Sequence, residues 1–390
     1  MIKLFVPGRL CLFGEHTDWA GHYRTMNADI VQGAAIVTGI EQGIYAEVEK
    51  SSVFEVKCST QKIEGWKDFS CRMDEQELKR VARSGEFFCY CAGVASYMLE
   101  WYKVGGVSIT ITDMTLPMKS GLSSSAAFEV LVGTIIDDLF NDGGMGAVEI
   151  AKIGQFAENV YFGKASGLMD QMVCSVGGFV SIDFFNPMNP SINSVDFDFS
   201  QAGYSLCITN TQGSHADLTD EYVSVPAEMK TVANALDCEF LRDVDEDKFY
   251  SELPELRKSC SDRAILRAAH FFAENNRAVQ EAEALEIGDT EEFFRLVNES
   301  GDSSANLLQN LYSVKNPQNQ EIPLAIMISK RRLSGSGAVR VHGGGFAGTI
   351  QAFVRAYLAD YYADEMNSVF GENSCQILSI RSVGGTQIKI

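Results

Sequence analysis

Alternating and helical hydrophobic patterns divide the chain into short strands and longer amphipathic helices. Residues 107–112 (VSITIT) alternate at period two, the mark of a half-buried strand. Leu4, Val6 and residues 10–13 read as extended, and 35–48 (AIVTGIEQGIYAEV) mixes β-branched and apolar residues with glycine breaks. The spacing predicts a helix over about 75–102, ended by Gly105 and Gly106. After 117–127 (PMKSGLSSSAA), a turn with serines where N-caps belong, Ala127, Val130, Leu131, Ile135 and Leu139 fall on one helical face. Further helices are expected over 147–162, in a short stretch after Gly167, and over 222–237, 261–287, 289–299, 302–311 and 355–369. Strands are expected at 204–210, on either side of Gly343–Gly345, and near 377–381. Strands and helices interleave without a regular βα repeat, so the pattern favours an α+β fold over a doubly wound sheet. The PMNP stretch at 187–190 is the best candidate boundary, giving domains over 1–190 and 191–390.

Composition narrows the function classes. The chain has 390 residues, 46% apolar and 22% charged, a globular balance with room for two cores. With 52 acidic residues against 32 Lys plus Arg, the formal charge is −20. That argues against nucleic acid and against an acidic membrane surface as partners. No run approaches the ~18 apolar residues of a membrane span, and MIKLFVPGRL lacks a signal-peptide core. Ten cysteines without a CxxC pair read as reduced, mostly buried thiols of a cytoplasmic protein.

Three segments could carry chemistry. In 117–127, Gly121 followed by Ser123, Ser124 and Ser125 at a helix start offers free N–H groups, hydroxyls and the positive end of a helix dipole. Phosphate would bind there; an ordinary capped helix is the alternative. The glycines of 341–349 (VHGGGFAGT) are a bend or a close approach to another group. The third is a polar cluster, Arg9 with Glu15, His16, Thr17 and Asp18, together with Asp170 inside the apolar stretch LMDQMV. A sugar needs such a dense set of donors and acceptors, and a buried acid needs a partner. No Walker loop, HExxH or GxSxG elbow occurs. The histidines His22, His270 and His342 read as structural, Phe271 and Phe272 as core, and the acidic runs 217–221 and 243–247 as solvated faces.

Together these segments resemble the GHMP kinase superfamily. Residues 117–127 resemble its phosphate loop and 341–349 its third motif, while 7–18 (PGRLCLFGEHTD) resemble the galactokinase signature. Residues 167–171 (GLMDQ) resemble the segment with the catalytic Asp, and 214–222 (SHADLTDEY) also look galactokinase-like. The resemblance implies a ribosomal protein S5-like N-terminal domain, an α+β C-terminal domain and an active site in the cleft between them. It further implies an ATP-dependent sugar 1-kinase, galactokinase-like, working by direct phosphoryl transfer. Gly121, Leu122, Ser123, Ser124, Ser125 and Ala126 would cradle the phosphates. Ser124 or Ser125, with Glu158 twelve residues before Asp170, would hold Mg²⁺. Asp170 and Arg9 would be catalytic. A carboxylate is a weak base for a sugar hydroxyl, so Asp170 would take the proton late or mainly orient the hydroxyl; Arg9 would offset charge on the transferring group. Arg9, Glu15, His16, Asp18, Gly167, Asp170, Tyr222, Gly344 and Gly345 would line the sugar side.

The sequence departs from the family pattern at Cys11, Trp19 and residues 20–32, where Arg24 and Asp29 could reach the sugar. Kinases for L-arabinose, galacturonate or N-acetylgalactosamine therefore stay open, as does a non-catalytic sugar and ATP sensor. The expected partners are a free sugar and ATP, in a monomer or weak homo-oligomer.

Overall fold

The computed structural model describes residues 2–14, 34–60, 66–86, 88–116, 123–163, 167–183, 191–195, 197–213, 218–346 and 348–388. Its contacts divide the chain into two units, one of residues 1–10, 38–178 and 380–390, the other of 11–37 and 179–379. The PMNP stretch at 187–190 lies outside the described residues.

The first unit is built on a mixed sheet. Its strands are β1 (Ile2–Phe13), β2 (Ala34–Ser51), β3 (Val53–Cys58), β4 (Phe69–Arg72) and β5 (Gly106–Met114). The order is β1-β2-β5-β3-β4, and a short strand, Thr386–Gln387, pairs antiparallel outside β1. β3 and β5 run parallel, and the β2–β5 and β3–β4 pairs are antiparallel. From Leu4 onward β1 is buried, which explains its nearly unbroken apolar run.

Helices α1 (Glu75–Ala82), α2 (Cys89–Trp101), α3 (Ser124–Phe140), α4 (Ala147–Phe156) and α5 (Met169–Val176) complete this unit. The single helix expected over 75–102 is two. Asp74 caps α1 through the Glu77 N–H, and Gly85, at φ +74°, takes a conformation that an α-helix cannot continue. α3 does not rest on one face. Every residue from Ala126 to Asp137 is buried, because the helix is packed by α2, α4 and α5. The helix expected over 147–162 forms, but its last turn, Ala157–Phe162, is π-helical.

The second unit holds a hairpin, β6 (Phe179–Asp183) with β7 (Ser191–Val195), and a separate four-stranded antiparallel sheet. That sheet joins β8 (Tyr204–Asn210), β9 (Gly337–His342), β10 (Thr349–Arg355) and β11 (Cys375–Leu378) in the order β11-β8-β10-β9. Period-two alternation sorts its two faces. Val339, Val341, Ile350, Ala352 and Val354 pack beneath α11 (Glu321–Leu333) and α12 (Ala359–Phe370). Phe353 points the other way, against Phe293 and Phe294 of α10 (Thr290–Ser303). A second core gathers residues of α6 (Thr219–Ala235), α7 (Glu246–Ser251), α8 (Leu253–Ser259) and α9 (Asp262–Glu286), including Phe271 and Phe272.

Several expectations need correction here. The helices expected at 289–299 and 302–311 form one run, with α10 passing directly into a π-helical turn, Ser304–Leu308. α7, α8 and α11 were not read from the sequence. α7 and α8 are single short helices, and the basic run at the end of α11 hides its apolar face. The strand expected near 377–381 lies at Cys375–Leu378, and the short strand Thr386–Gln387 follows it. Glu221 is not solvated: it is 4% exposed and accepts the Ser313 hydroxyl and the Val314 N–H. All ten cysteines are free, with Cys58, Cys71 and Cys238 half-buried and the others buried.

Candidate active site

In the first unit, three elements converge on one carboxylate. Arg9 of β1 grips Asp170 in the first turn of α5 through two parallel bonds, Nε to Oδ1 at 2.6 Å and Nη2 to Oδ2 at 2.9 Å. This fork geometry fixes the carboxylate plane as well as its charge. The third group is Ser123, at the N-cap position of α3. Its hydroxyl does not cap the helix; it donates to Asp170 Oδ2 instead. The Ser123 backbone is left-handed, at φ 53° and ψ 55°. Arg9 is buried from behind while the Asp170 side chain keeps 29% exposure, so the carboxylate can meet a ligand. Ser124 and Ser125, the first residues of α3, are half-exposed at its positive end, and Ala126 is buried.

One residue along α5, Gln171 joins two further acids. Its Nε2 donates to Glu129 Oε2 of α3 at 2.8 Å and to Glu158 Oε2 at 3.2 Å. Glu158 sits in the π-helical turn that extends α4, and all three side chains are buried. Gly167, half-buried, stands one residue before Leu168, the N-cap of α5.

In the second unit, Tyr222 in the first turn of α6 donates its hydroxyl to the Gly345 carbonyl at 2.8 Å. Its ring meets Phe346 edge-on at 5.4 Å. Burial pushes the Tyr222 phenol up to about 12. Asn310 clamps the same turn, donating Nδ2 to the Gly344 carbonyl at 3.2 Å and accepting the Phe346 N–H on its own carbonyl. Gly345 has φ +79°, and a Cβ there would lie 2.1 Å from the Asn310 carbonyl oxygen, so only glycine fits. His342 shares a hydrogen bond with the Thr349 hydroxyl, and His270 with that of Ser303.

Comparison with known proteins gives this geometry a family. Residues 89–178 match the GHMP kinases N terminal domain. The chain is 30% identical over 375 residues to a galactokinase of Actinobacillus pleuropneumoniae serotype 5b (strain L20), covering 92% of this chain and 88% of that one. It is 29% identical over 378 residues to a galactokinase of Lactobacillus helveticus, covering 94% and 89%. The crystal structure of Lactococcus lactis galactokinase complexed with galactose superposes with a TM-score of 0.80 over 99% of this chain and 95% of that one, at 23% identity. The chain belongs to the galactokinase family of GHMP kinases.

For a galactokinase-family chain, the structure brings together Arg9, Ser123 and Asp170 in one group, and Tyr222, Gly344 and Gly345 in another. Glu158 joins a buried acid pair rather than standing alone. Glu15, His16, Asp18, Gly121 and Leu122 lie outside the described residues. Sequence reading assigned no role to Glu129 or to Gln171. A signal existed for the first, since Glu129 is the one acid in the apolar run AAFEVLVG of α3.

Proposed function

We propose that the protein transfers the γ-phosphoryl group of ATP to the anomeric hydroxyl of a free hexose, with galactose as the substrate that family membership favours. It is a phosphotransferase with an alcohol group as acceptor, as its kinase relatives are. The observation that carries the reading is the Arg9–Asp170–Ser123 group beside the first turn of α3.

The chemistry follows from the residues. The sugar hydroxyl oxygen forms a bond to the γ-phosphorus as the bond from phosphorus to the bridging oxygen breaks, and ADP carries away that electron pair. Asp170, held in one plane by Arg9, orients the hydroxyl and accepts its proton as the new bond forms. Arg9 keeps a fixed positive charge next to the reacting oxygens. The start of α3, with Ser124, Ser125 and the expected loop residues Gly121 and Leu122, receives the phosphates on backbone N–H groups. The sugar contacts proposed for Glu15, His16, Asp18, Gly167, Tyr222, Gly344 and Gly345 supply the remaining polar set.

The residues fit Mg²⁺. Glu158 offers a hard, buried carboxylate oxygen and Ser124 or Ser125 a hydroxyl. When bound, the ion neutralises phosphate charge. A cytoplasmic site of action fits this substrate pair, and no helix among the described residues is long and apolar enough to cross a membrane.

The test is ADP release from Mg-ATP with galactose, glucose, arabinose, galacturonate and N-acetylgalactosamine. Galactose is expected to turn over fastest, and Asp170→Asn is expected to lower kcat by about 10²–10⁴-fold while circular dichroism stays unchanged. A faster sugar would reassign the substrate. No turnover with any sugar would overturn the kinase reading, and near-normal turnover by Asp170→Asn would overturn the role of Asp170.

A further inference from the structure

We infer that Gln171 is a positioning residue. Its side-chain amide holds the Glu158 carboxylate in the orientation that the nucleotide's divalent cation requires, and Glu129 anchors the amide from the other side. The inference rests on the Mg-ATP reading above.

The amide nitrogen carries two hydrogens, and the structure uses both on carboxylates, Glu129 Oε2 at 2.8 Å and Glu158 Oε2 at 3.2 Å. With acceptor oxygens on both, only the nitrogen can face them, so the side chain has one orientation. Gln171 and Glu129 are fully buried and Glu158 is 2% exposed, so water competes little for these bonds. The second oxygen of the arrangement is left over: Gln171 Oε1 is buried with no hydrogen-bond partner. Such an orphan is unfavourable. An apolar side chain of the same length would avoid it, so packing alone gives no reason for a glutamine here. The reason lies in what its N–H groups hold.

The surroundings are shaped to the same end. A Cβ on Gly154 of α4 would stand 3.0 Å from Gln171 Cγ and 3.2 Å from Glu129 Oε2, so the missing side chain leaves the amide its space. Glu158 lies in a π-helical turn, whose extra residue per turn redirects its side chain from the ordinary helical course. Gln171 also follows Asp170 directly. One turn of α5 thus sets the carboxylate gripped by Arg9 and, about 100° around the helix, the amide that holds Glu158. A helix shift would move both.

The experiment titrates Mn²⁺, read by electron paramagnetic resonance of the free ion, into the full-length protein with saturating ADP. The proteins are wild type, Gln171→Met and Gly154→Ala. ADP binding in EDTA is measured in parallel by calorimetry. Gln171→Met keeps length and loses both donors. It is expected to weaken Mn²⁺ binding about 10–100-fold, the usual effect of removing a group that orients a metal ligand, with metal-free ADP affinity within about twofold. Gly154→Ala crowds the amide without changing any polar group and is expected to weaken Mn²⁺ in the same direction. It carries the test should Gln171→Met fail to fold. Wild-type Mn²⁺ affinity in a folded variant overturns the inference. So does an equal loss of metal-dependent and metal-free ADP binding, which marks a merely structural role. A wild-type protein that takes up no Mn²⁺ with ADP overturns the parent reading instead.

Discussion

Glu274 gives the second unit a measurable dependence on pH. It lies on α9, 1% exposed, and accepts the Ser300 hydroxyl at 2.5 Å and two N–H groups of Arg277 at 2.9 and 2.7 Å. Arg340 stands 3.8 Å away, with the same Nη1 donating to the Leu12 carbonyl at 2.5 Å. Burial by itself would raise the carboxyl. Arg340, Arg277 and His270, with the Ser300 hydroxyl, outweigh burial and hold it at about 2, against an ordinary 4.5. A carboxyl depressed on folding stabilises fully above its unfolded pKa, and that stabilisation is lost as pH falls through the folded one. The difference between 4.5 and about 2 corresponds to about 3 kcal/mol at neutral pH, of which about 1.4 kcal/mol is gone near pH ~3.5. The perturbation is Glu274→Gln, and the assay is urea unfolding of both proteins near pH ~7 and pH ~3.5. Removing one partner of a buried pair costs about 3–5 kcal/mol, so a large gap is expected near neutrality. That gap should narrow by about 1.4 kcal/mol in acid. A gap that stays constant would show that the Glu274 charge is not the source of the stability. A gap that widens would show that the carboxyl is raised rather than depressed.

Two further predictions concern the glycine turn. Gly345→Ala forces a side chain onto a φ of +79° and into the Asn310 carbonyl. It should cost at least about 2 kcal/mol by chemical unfolding; a loss under about 0.5 kcal/mol would show that the turn yields easily. Tyr222→Phe removes the hydroxyl donated to the Gly345 carbonyl and should cost about 1 kcal/mol. In an absorbance titration it should also delete a tyrosinate step near pH 12; loss of a step near pH 10 instead would mean that Tyr222 is solvated.

Much of the fold could be read locally. The strand at 204–210 follows from its own apolar pattern and stands at Tyr204–Asn210. Local pattern failed where a distant contact or a backbone constraint decided the outcome. Nothing within the run 75–102 outweighed its helical period except Gly85, whose positive φ splits it. The serines at the start of α3 were legible as a helix N-terminus, but the destination of the Ser123 hydroxyl was not. It leaves the helix end to reach a residue 47 positions away. Glu221 looked like part of a solvated acidic run because its partners, Ser313 and Val314, come some ninety residues later.

Three deviations from local rules in the first unit meet at one helix. Ser123 is a non-glycine residue in the left-handed region, and its hydroxyl forgoes the helix cap. Glu158 lies in a π-helical turn, and Gln171 keeps a buried oxygen without a partner. Each is unfavourable alone, by about 1–3 kcal/mol for the Ser123 backbone and a similar amount for the orphan oxygen. Ser123 bonds Asp170, the neighbouring Gln171 bonds Glu158, and both bonds reach the same turn of α5. A chain keeps such costs together where geometry must serve a ligand rather than the fold. The helix that carries Asp170 is therefore the part of the first unit in which stabilising substitutions, such as an apolar residue at Gln171, should most directly cost function.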